Sequence, residues 1–271
     1  RWESTTVTCL PNVELFEVGG DTDRGAMVCE SIEHILGIWA GAPPYDRGGK
    51  FRNVKIADVD RMEYGVGALI KPYQQPHPPI AISIMSPKSG SARLAGEFGW
   101  IPISGAAFLN PRYTASHWEA YCEGAEKASR DADPNIWRVS RSIVVAPTDA
   151  EARDYVMDPD GPFSFWFRYL LSSLRARGLA AFAAPEGHSD PDRMSWQEFA
   201  EYQVAWGSPA TVVDKLVALR DLTGPFGVLT AMAQEWDDPA FCRRSITLLA
   251  EDVMPKFAKH ANTGTIASAA E

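Results

Sequence analysis

Several features that mark other classes of protein are scarce in this sequence. Basic residues are outnumbered: 26 Lys and Arg stand against 35 Asp and Glu, which gives a net charge of -9. Nucleic-acid binding needs a dense basic surface, so this balance argues against a nucleic-acid partner. No segment approaches the roughly 20 uninterrupted apolar residues of a membrane-spanning helix, and no secretory leader opens the chain. We therefore expect a cytoplasmic protein that does not bind a membrane.

Cysteine and histidine are too few and too scattered to indicate a familiar site. The four cysteines show neither CxxC nor metal-ligand spacing, so we expect reduced thiols, no disulfide framework and no metal site. None of the five histidines has a partner at HxxxH or HExxH spacing, and His34 and His117 are predicted on helix surfaces. The motifs of serine hydrolases, P-loop proteins and Rossmann enzymes do not occur either.

What the sequence does contain is an alternation of short apolar runs with longer helical patterns. Strands are predicted at residues 80–85, 100–104, 137–145 and 226–232. Capping signals predict the helices between them, which begin near residues 90, 111, 149 and 209, and a last helix that begins at residue 239. On the last helix we expect a buried stripe of Phe241, Ile246, Leu249 and Val253.

Four such units in series predict a parallel sheet with helical crossovers, as either a barrel or an open doubly wound sheet. A complete eight-unit barrel needs about 250 residues, or about 30 per unit. The four units already occupy most of residues 79–257, which leaves room for about one more upstream. Residues 13–18 are its candidate strand and residues 26–39 its helix, followed by an irregular excursion with a hairpin at 41–75. A complete barrel therefore does not fit into this chain.

The regular alternation is interrupted by a lid-like insertion at residues 158–195. Proline and glycine break the chain first, and an aromatic-rich helix is then predicted at residues 163–177. Its aromatic side chains either line an apolar pocket or pack the helix onto the sheet, namely Phe163, Phe165, Trp166, Phe167 and Tyr169. We expect one domain over residues 1–260 and a disordered tail at 261–271.

The best candidate for a functional site is the segment 85–91 (MSPKSGS), which lies between a predicted buried strand and a helix. The first N–H groups of a helix are unpaired and carry positive potential, which suits a phosphate. Three serine hydroxyls add donors, and Gly90 allows the backbone to approach a ligand closely. Serine is also common at helix starts, so the alternative is a turn whose serines merely cap the helix.

Three segments carry a resemblance to the luciferase-like flavin-dependent monooxygenases. Residues 71–104 (KPYQQPHPPIAISIMSPKSGSARLAGEFGWIPIS) resemble the fifth strand, the following helix and the sixth strand of that family. Residues 207–209 and 216–257 resemble its last helix, strand and helix, with Asp252-Val253-Met254-Pro255 as the closing element. Residues 31–49 (SIEHILGIWAGAPPYDRGG) are similar to the segment after its fourth strand. Within the family, the limonene- and alkane-oxygenase group is the most similar.

The resemblance implies a TIM (β/α)8 barrel, incomplete here, with about strands 4 to 8 present. It also implies a site for flavin mononucleotide (FMN), whose cofactor-binding residues would be Met85, Ser86, Ser89, Gly90, Ser91 and Ser104. Reduced FMN, supplied by a separate flavin reductase, would react with O2 and oxidise a small apolar organic substrate. The family's catalytic residues belong to its first strands, which have no counterpart here, so the catalytic residues stay unknown.

Two alternatives accompany this interpretation. Some relatives bind the deazaflavin F420 and transfer hydride without oxygen, and their phosphate turn would look similar. A chain without the first strands can instead be a non-catalytic remnant that folds only with a partner, because unpaired strand edges invite pairing with another chain. Pairing of two copies at such an edge would give a homo-oligomer.

Overall fold

The computed structural model describes residues 22–57, 69–105 and 109–260. The chain divides into two compact units, residues 1–83 and 84–271, and each is described by itself. Helix α1 (Arg24–Ala40) is the first described element of the first unit, and the side chain of Asp23 caps it by accepting a hydrogen bond from the Ala26 N–H at 3.0 Å. The helix predicted at residues 26–39 is confirmed, whereas the strand predicted at 13–18 lies outside the described residues.

The excursion after α1 contains the hairpin that the sequence predicted. Strands β1 (Tyr45–Arg47) and β2 (Val54–Ile56) are antiparallel. The carboxylate of Glu30 on α1 accepts hydrogen bonds from the N–H groups of Phe51 and Arg52 in the turn, at 3.0 and 2.8 Å. A short strand, β3 (Ala81–Ile84), then leads into the second unit.

The second unit is built around β5 (Arg138–Val145), the longest strand of a five-stranded sheet. The strand β4 (Ile101–Ser104) pairs with it in parallel, and so do β6 (Val204–Gly207) and β7 (Val228–Met232). The helices of this unit are α2 (Gly90–Phe98), α3 (Ala115–Lys127), α4 (Asp149–Val156), α5 (Pro162–Ala176), α6 (Trp196–Gln203), α7 (Pro209–Thr223) and α8 (Pro239–Leu248). Among the described residues this is an α/β fold with an open parallel sheet.

Strand β6 and helix α6 of this unit were not predicted. Strand β6 has only four residues and begins immediately after α6, so no turn signal separates the two elements. It pairs with residues 142–145 of β5, and it makes five strands in the sheet where the sequence predicted four for this part of the chain. Four described segments of this unit, at 111–113, 134–136, 180–182 and 191–193, form 3-10 turns.

Both faces of β5 are buried, and alternate residues of the strand belong to two different hydrophobic clusters. Val139, Ile143 and Val145 pack with α7 in one cluster, which includes Val212 and Leu216. On the opposite face, Val144 belongs to a cluster formed largely by the insertion and α6, which includes Phe163, Phe167 and Phe199. Successive side chains of a strand point to opposite faces, so the parity of a β5 residue tells which cluster it joins.

The predicted stripe on the last helix is partly wrong. Phe241 and Val253 are buried, as expected, but Ile246 is 48% exposed. The buried position is Ser245, whose hydroxyl oxygen accepts a hydrogen bond from the Val145 N–H at 2.9 Å. Each residue turns a helix by about 100°, so Ile246 points away from the sheet. A π-helical turn, Leu249–Val253, follows α8, and none of the described helices is long and apolar enough to cross a membrane.

Candidate functional site: the turn between β3 and α2

The residues between β3 and α2 form a tight turn whose conformation is set by hydrogen bonds. Ser89 caps α2, because its hydroxyl oxygen accepts a hydrogen bond from the Ser91 N–H at 3.2 Å. Lys88 has φ +48°, an uncommon conformation for a residue with a side chain. Its N–H donates to the hydroxyl of Ser116 on α3 at 3.0 Å, which stabilises this conformation.

Close packing of two helices places this turn. A Cβ atom added to Gly96 on α2 would lie 2.0 Å from the carbonyl oxygen of Tyr121, and one added to Gly124 on α3 would lie 1.9 Å from that of Arg93. Any side chain at either position would therefore push the helices apart. The two glycines hold the N-terminus of α2 at a defined position beside α3.

The turn presents hydrogen-bond donors and open space to the outside. The N–H groups of Ser89 and Gly90 make no hydrogen bond within the described part of the chain, as expected at the start of a helix. Ser86 and Lys88 are exposed, and a Cβ atom added to Gly90 would meet nothing within 4 Å. Unpaired N–H groups, a hydroxyl and an ammonium around an open space suit a phosphate group. These residues therefore fit the phosphate of a flavin.

Beneath the turn lies a buried network that the sequence did not predict. His117, expected on the surface of a helix, is only 1% exposed. Its Nδ1 shares a hydrogen bond with the hydroxyl of Ser104 at 2.9 Å, and the Trp137 indole N–H donates to the same hydroxyl oxygen at 2.8 Å. The buried residues of α3 lie at positions 117, 120, 121, 124 and 125, and this helical spacing was the signal that could have placed His117 inside.

The burial of His117 keeps its imidazole neutral. Desolvation lowers the pKa of His117 to about 4, while an interaction with the backbone of Ser86 acts in the opposite direction. The ring thus lies between the end of β4 and the start of the turn. Ser104, predicted to contact the cofactor, is 4% exposed, so its described contacts reach the turn through His117.

The histidine expected on the surface of α1 is also buried. His34 is 7% exposed, and its Nε2 shares a hydrogen bond with the carbonyl oxygen of Arg52 at 3.1 Å. Its helix packs this face against the loop of the hairpin, which explains why an apparently exposed position becomes enclosed. Both histidines lie on the side of their helix that packs against another part of the chain, so positions predicted to be exposed are enclosed.

The aromatic side chains of the insertion divide into two sets. Phe163 and Phe167 are buried in the cluster beside β5, which confirms the packing alternative for these two. Phe165 is 73% and Tyr169 46% exposed, on the other face of α5, and Trp166 is partly buried. Only this second set is available to line a pocket.

Comparison with known proteins identifies the family. Residues 11–224 match the family model described as luciferase-like monooxygenase. The chain belongs to this family. It is 33% identical over 246 residues to 3,6-diketocamphane 1,6-monooxygenase of Pseudomonas putida, covering 88% of this chain and 64% of that enzyme. It is 28% identical over 168 residues to limonene 1,2-monooxygenase of Rhodococcus erythropolis, covering 61% of this chain and 40% of that enzyme.

Solved structures show the same fold. The oxygenating constituent of 3,6-diketocamphane monooxygenase of P. putida, a type II Baeyer–Villiger monooxygenase in complex with FMN, matches with TM-score 0.73 and 31% identity. That match covers 88% of this chain and 65% of the other. An F420-dependent secondary alcohol dehydrogenase matches with TM-score 0.57 and 17% identity over 88% and 63% of the two chains, a likeness of fold alone. The family and fold predicted from the sequence are confirmed.

Proposed function

We propose that this chain provides the cofactor-phosphate site of a flavin-dependent monooxygenase that uses reduced FMN and O2 on a small apolar organic substrate. The observation that carries the proposal is the turn between β3 and α2, with its unpaired N–H groups and its exposed Ser86 and Lys88. The FMN bound to the relative of known structure supports FMN as the cofactor. Because the chain spans about two thirds of that relative, the activity of the whole enzyme is part of the proposal.

Each residue of the turn has a proposed role in holding FMN. The N–H groups of Ser89 and Gly90 and the hydroxyl of Ser86 donate hydrogen bonds to the phosphate, and Lys88 contributes a positive charge. Met85 and Ser91 flank these donors. Ser104 acts through His117, whose Nδ1 shares a hydrogen bond with the Ser104 hydroxyl and whose ring lies close enough to the backbone of Ser86 for the two to interact. The flavin itself supplies the oxygen chemistry, and the protein supplies position and exclusion of water.

The proposed partners are a flavin reductase, which delivers reduced FMN, and a small apolar substrate. The exposed aromatic set of α5, Phe165 and Tyr169 with the partly buried Trp166, is available for that substrate. Aromatic side chains offer large apolar surfaces, and apolar ligand sites are lined mainly by such residues.

A flavin titration tests the proposal directly. Purified protein is titrated against FMN, with quenching of FMN fluorescence as the signal and F420 as the parallel ligand. We expect micromolar binding of FMN and weakening of about 10- to 100-fold by Ser86→Ala, since one hydrogen bond to a charged phosphate contributes about 1.5–3 kcal/mol. Ser172→Ala, at an exposed position on α5, is the matched control and leaves binding unchanged.

Ser89→Ala is interpreted together with its effect on folding. Its hydroxyl caps α2, so the substitution lowers helix stability by about 1 kcal/mol as well as affecting FMN binding. Preference for F420 would replace the proposal by hydride transfer. A folded protein that binds neither ligand would indicate a non-catalytic remnant, and unchanged FMN affinity in the Ser86→Ala/Ser89→Ala double variant would move the phosphate elsewhere.

A further inference from the structure

A buried arginine on the central strand has no acidic partner among residues 22–57, 69–105 and 109–260. The side chain of Arg141 on β5 is 7% exposed, and its Nη1 donates a hydrogen bond to the amide oxygen of Gln203 at 2.9 Å. No carboxylate within the described ranges forms a salt bridge with it. Taking a guanidinium out of water is costly, and a neutral amide offsets only part of that cost.

Arg141 lines a cavity of about 260 Å³ on the helix-covered side of the sheet. Its parity on β5 is that of Val139 and Ile143, which pack against α7. The cavity is bounded by β6 and by α7, with Leu216 and Leu219 among its walls. It is a separate enclosure from the turn between β3 and α2, none of whose residues contributes to it.

Other polar side chains around the cavity have partners of their own, so Arg141 is the main group available to bind a ligand there. Lys215 donates to the carbonyl oxygen of Trp206 at 2.9 Å and lies over that indole ring, and Tyr202 donates to the Asn110 side-chain oxygen at 2.9 Å. Glu201 also borders the cavity; burial lowers the pKa of Lys215, and the carboxylate of Glu201 acts in the opposite direction. The cavity is thus lined by one buried cation, Arg141, by a cation and an anion at its edge, Lys215 and Glu201, and by a mainly apolar wall.

We propose that this cavity binds a small organic monocarboxylate, whose carboxylate pairs with Arg141 and whose apolar body packs between β6 and α7. A planar guanidinium matches a carboxylate in two parallel hydrogen bonds, which is the strongest form of this pairing. The leucine and alanine side chains that complete the wall favour an apolar body over a sugar or a nucleotide. The site is independent of flavin binding.

Benzoate is the test probe, with benzamide as an uncharged molecule of the same shape. We expect benzoate to raise the thermal unfolding midpoint saturably and benzamide to leave it unchanged, since a ligand that binds only the native state stabilises it. In isothermal titration, Arg141→Met should bind benzoate at least about tenfold more weakly than the wild-type protein does. Arg138→Met, on the same strand but with its guanidinium donating to the Ile136 carbonyl oxygen, is the matched control.

Two further measurements protect the test against misfolding. Arg141→Met removes a buried charge and keeps an apolar shape, so it should unfold at the same or a higher urea concentration than wild type. Ala218→Phe introduces a large side chain at the wall of the cavity on α7 and leaves Arg141 itself unchanged, and it should also abolish the benzoate response. Unchanged benzoate binding in both variants would overturn the proposal, and so would inorganic phosphate that binds through Arg141 more tightly than benzoate.

Discussion

The helix α5 and the turn between β3 and α2 are stabilised by different kinds of interaction. On α5, Phe167 is fully buried, with its ring 6.1 Å from that of Phe163 and 5.0 Å from that of Phe199. The turn instead exposes Ser86 and Lys88, and it is held in place by a hydrogen bond that the Lys88 N–H donates to the Ser116 hydroxyl on α3. Apolar packing is non-directional and disfavours any buried polar group without a hydrogen bond, whereas a ligand site needs donors that the protein leaves unpaired.

This difference predicts that stability and flavin binding respond to separate sets of substitutions. Changes on the inner face of α5 should lower the free energy of unfolding without a specific effect on the cofactor. Changes at Ser86 should do the reverse, because an exposed hydroxyl contributes little to folding. Residues beneath the turn, such as His117, should affect both properties.

The largest expected effect is that of Phe167→Ala. The substitution leaves a cavity in the cluster beside β5, and removal of a buried phenylalanine costs about 3–5 kcal/mol. Urea unfolding followed by tryptophan fluorescence measures the loss. Phe165→Ala, two residues earlier and 73% exposed, is the control, with a change within about 0.5 kcal/mol. Equal losses in the two variants would contradict the division of α5 into a buried and an exposed face.

The second prediction concerns pH and His117. Burial lowers the pKa of His117 to about 4, so between pH 6.5 and 4 the unfolded chain binds a proton that the folded one refuses. The corresponding stability is fully present above pH 6.5 and is lost as the pH falls towards 4, by about 3 kcal/mol in all. Urea unfolding at several pH values, compared with His117→Gln, isolates this contribution from that of the carboxylates.

In His117→Gln the slope of stability against pH should be shallower over that interval, whereas FMN affinity at neutral pH should fall. A variant with the wild-type slope would show that His117 is not the titrating group. A variant with a shallow slope but unchanged FMN affinity would separate His117 from the turn, and would limit its role to folding.

The capping residues and the periodicity of apolar side chains predicted most of the second unit. Helix α2 begins at Gly90 and ends at Phe98, as expected from Ser89 before it and Gly99 after it, where Gly99 has φ +72°. Such signals are local: a capping side chain and a glycine with positive φ act within a few residues of the chain. These signals can therefore be recognised without knowledge of the tertiary structure.

The features that escaped prediction depend on contacts distant in sequence. The network at Ser104 joins residues 13 and 33 positions away, and β6 exists because β5 offers its edge. Arg141 lies in a strand that the sequence predicted, yet the cavity around it is made by α6, β6 and α7. No pattern within a single element contains that information. The sequence therefore predicted the hydrogen-bond donors of the turn, but not the buried network beneath it.

The smallest expected effect comes from the cap of α6, the helix that connects the insertion to β6. Ser195 and Glu198 form a reciprocal capping box, in which the Ser195 hydroxyl accepts from the Glu198 N–H at 3.2 Å and the Glu198 carboxylate accepts from the Ser195 N–H at 2.7 Å. Ser195→Ala should lower the free energy of unfolding by about 1 kcal/mol and leave FMN affinity unchanged. Altered FMN binding in this variant would mean that the insertion and the turn are coupled. It would contradict the conclusion that one set of residues stabilises the fold and another binds the cofactor.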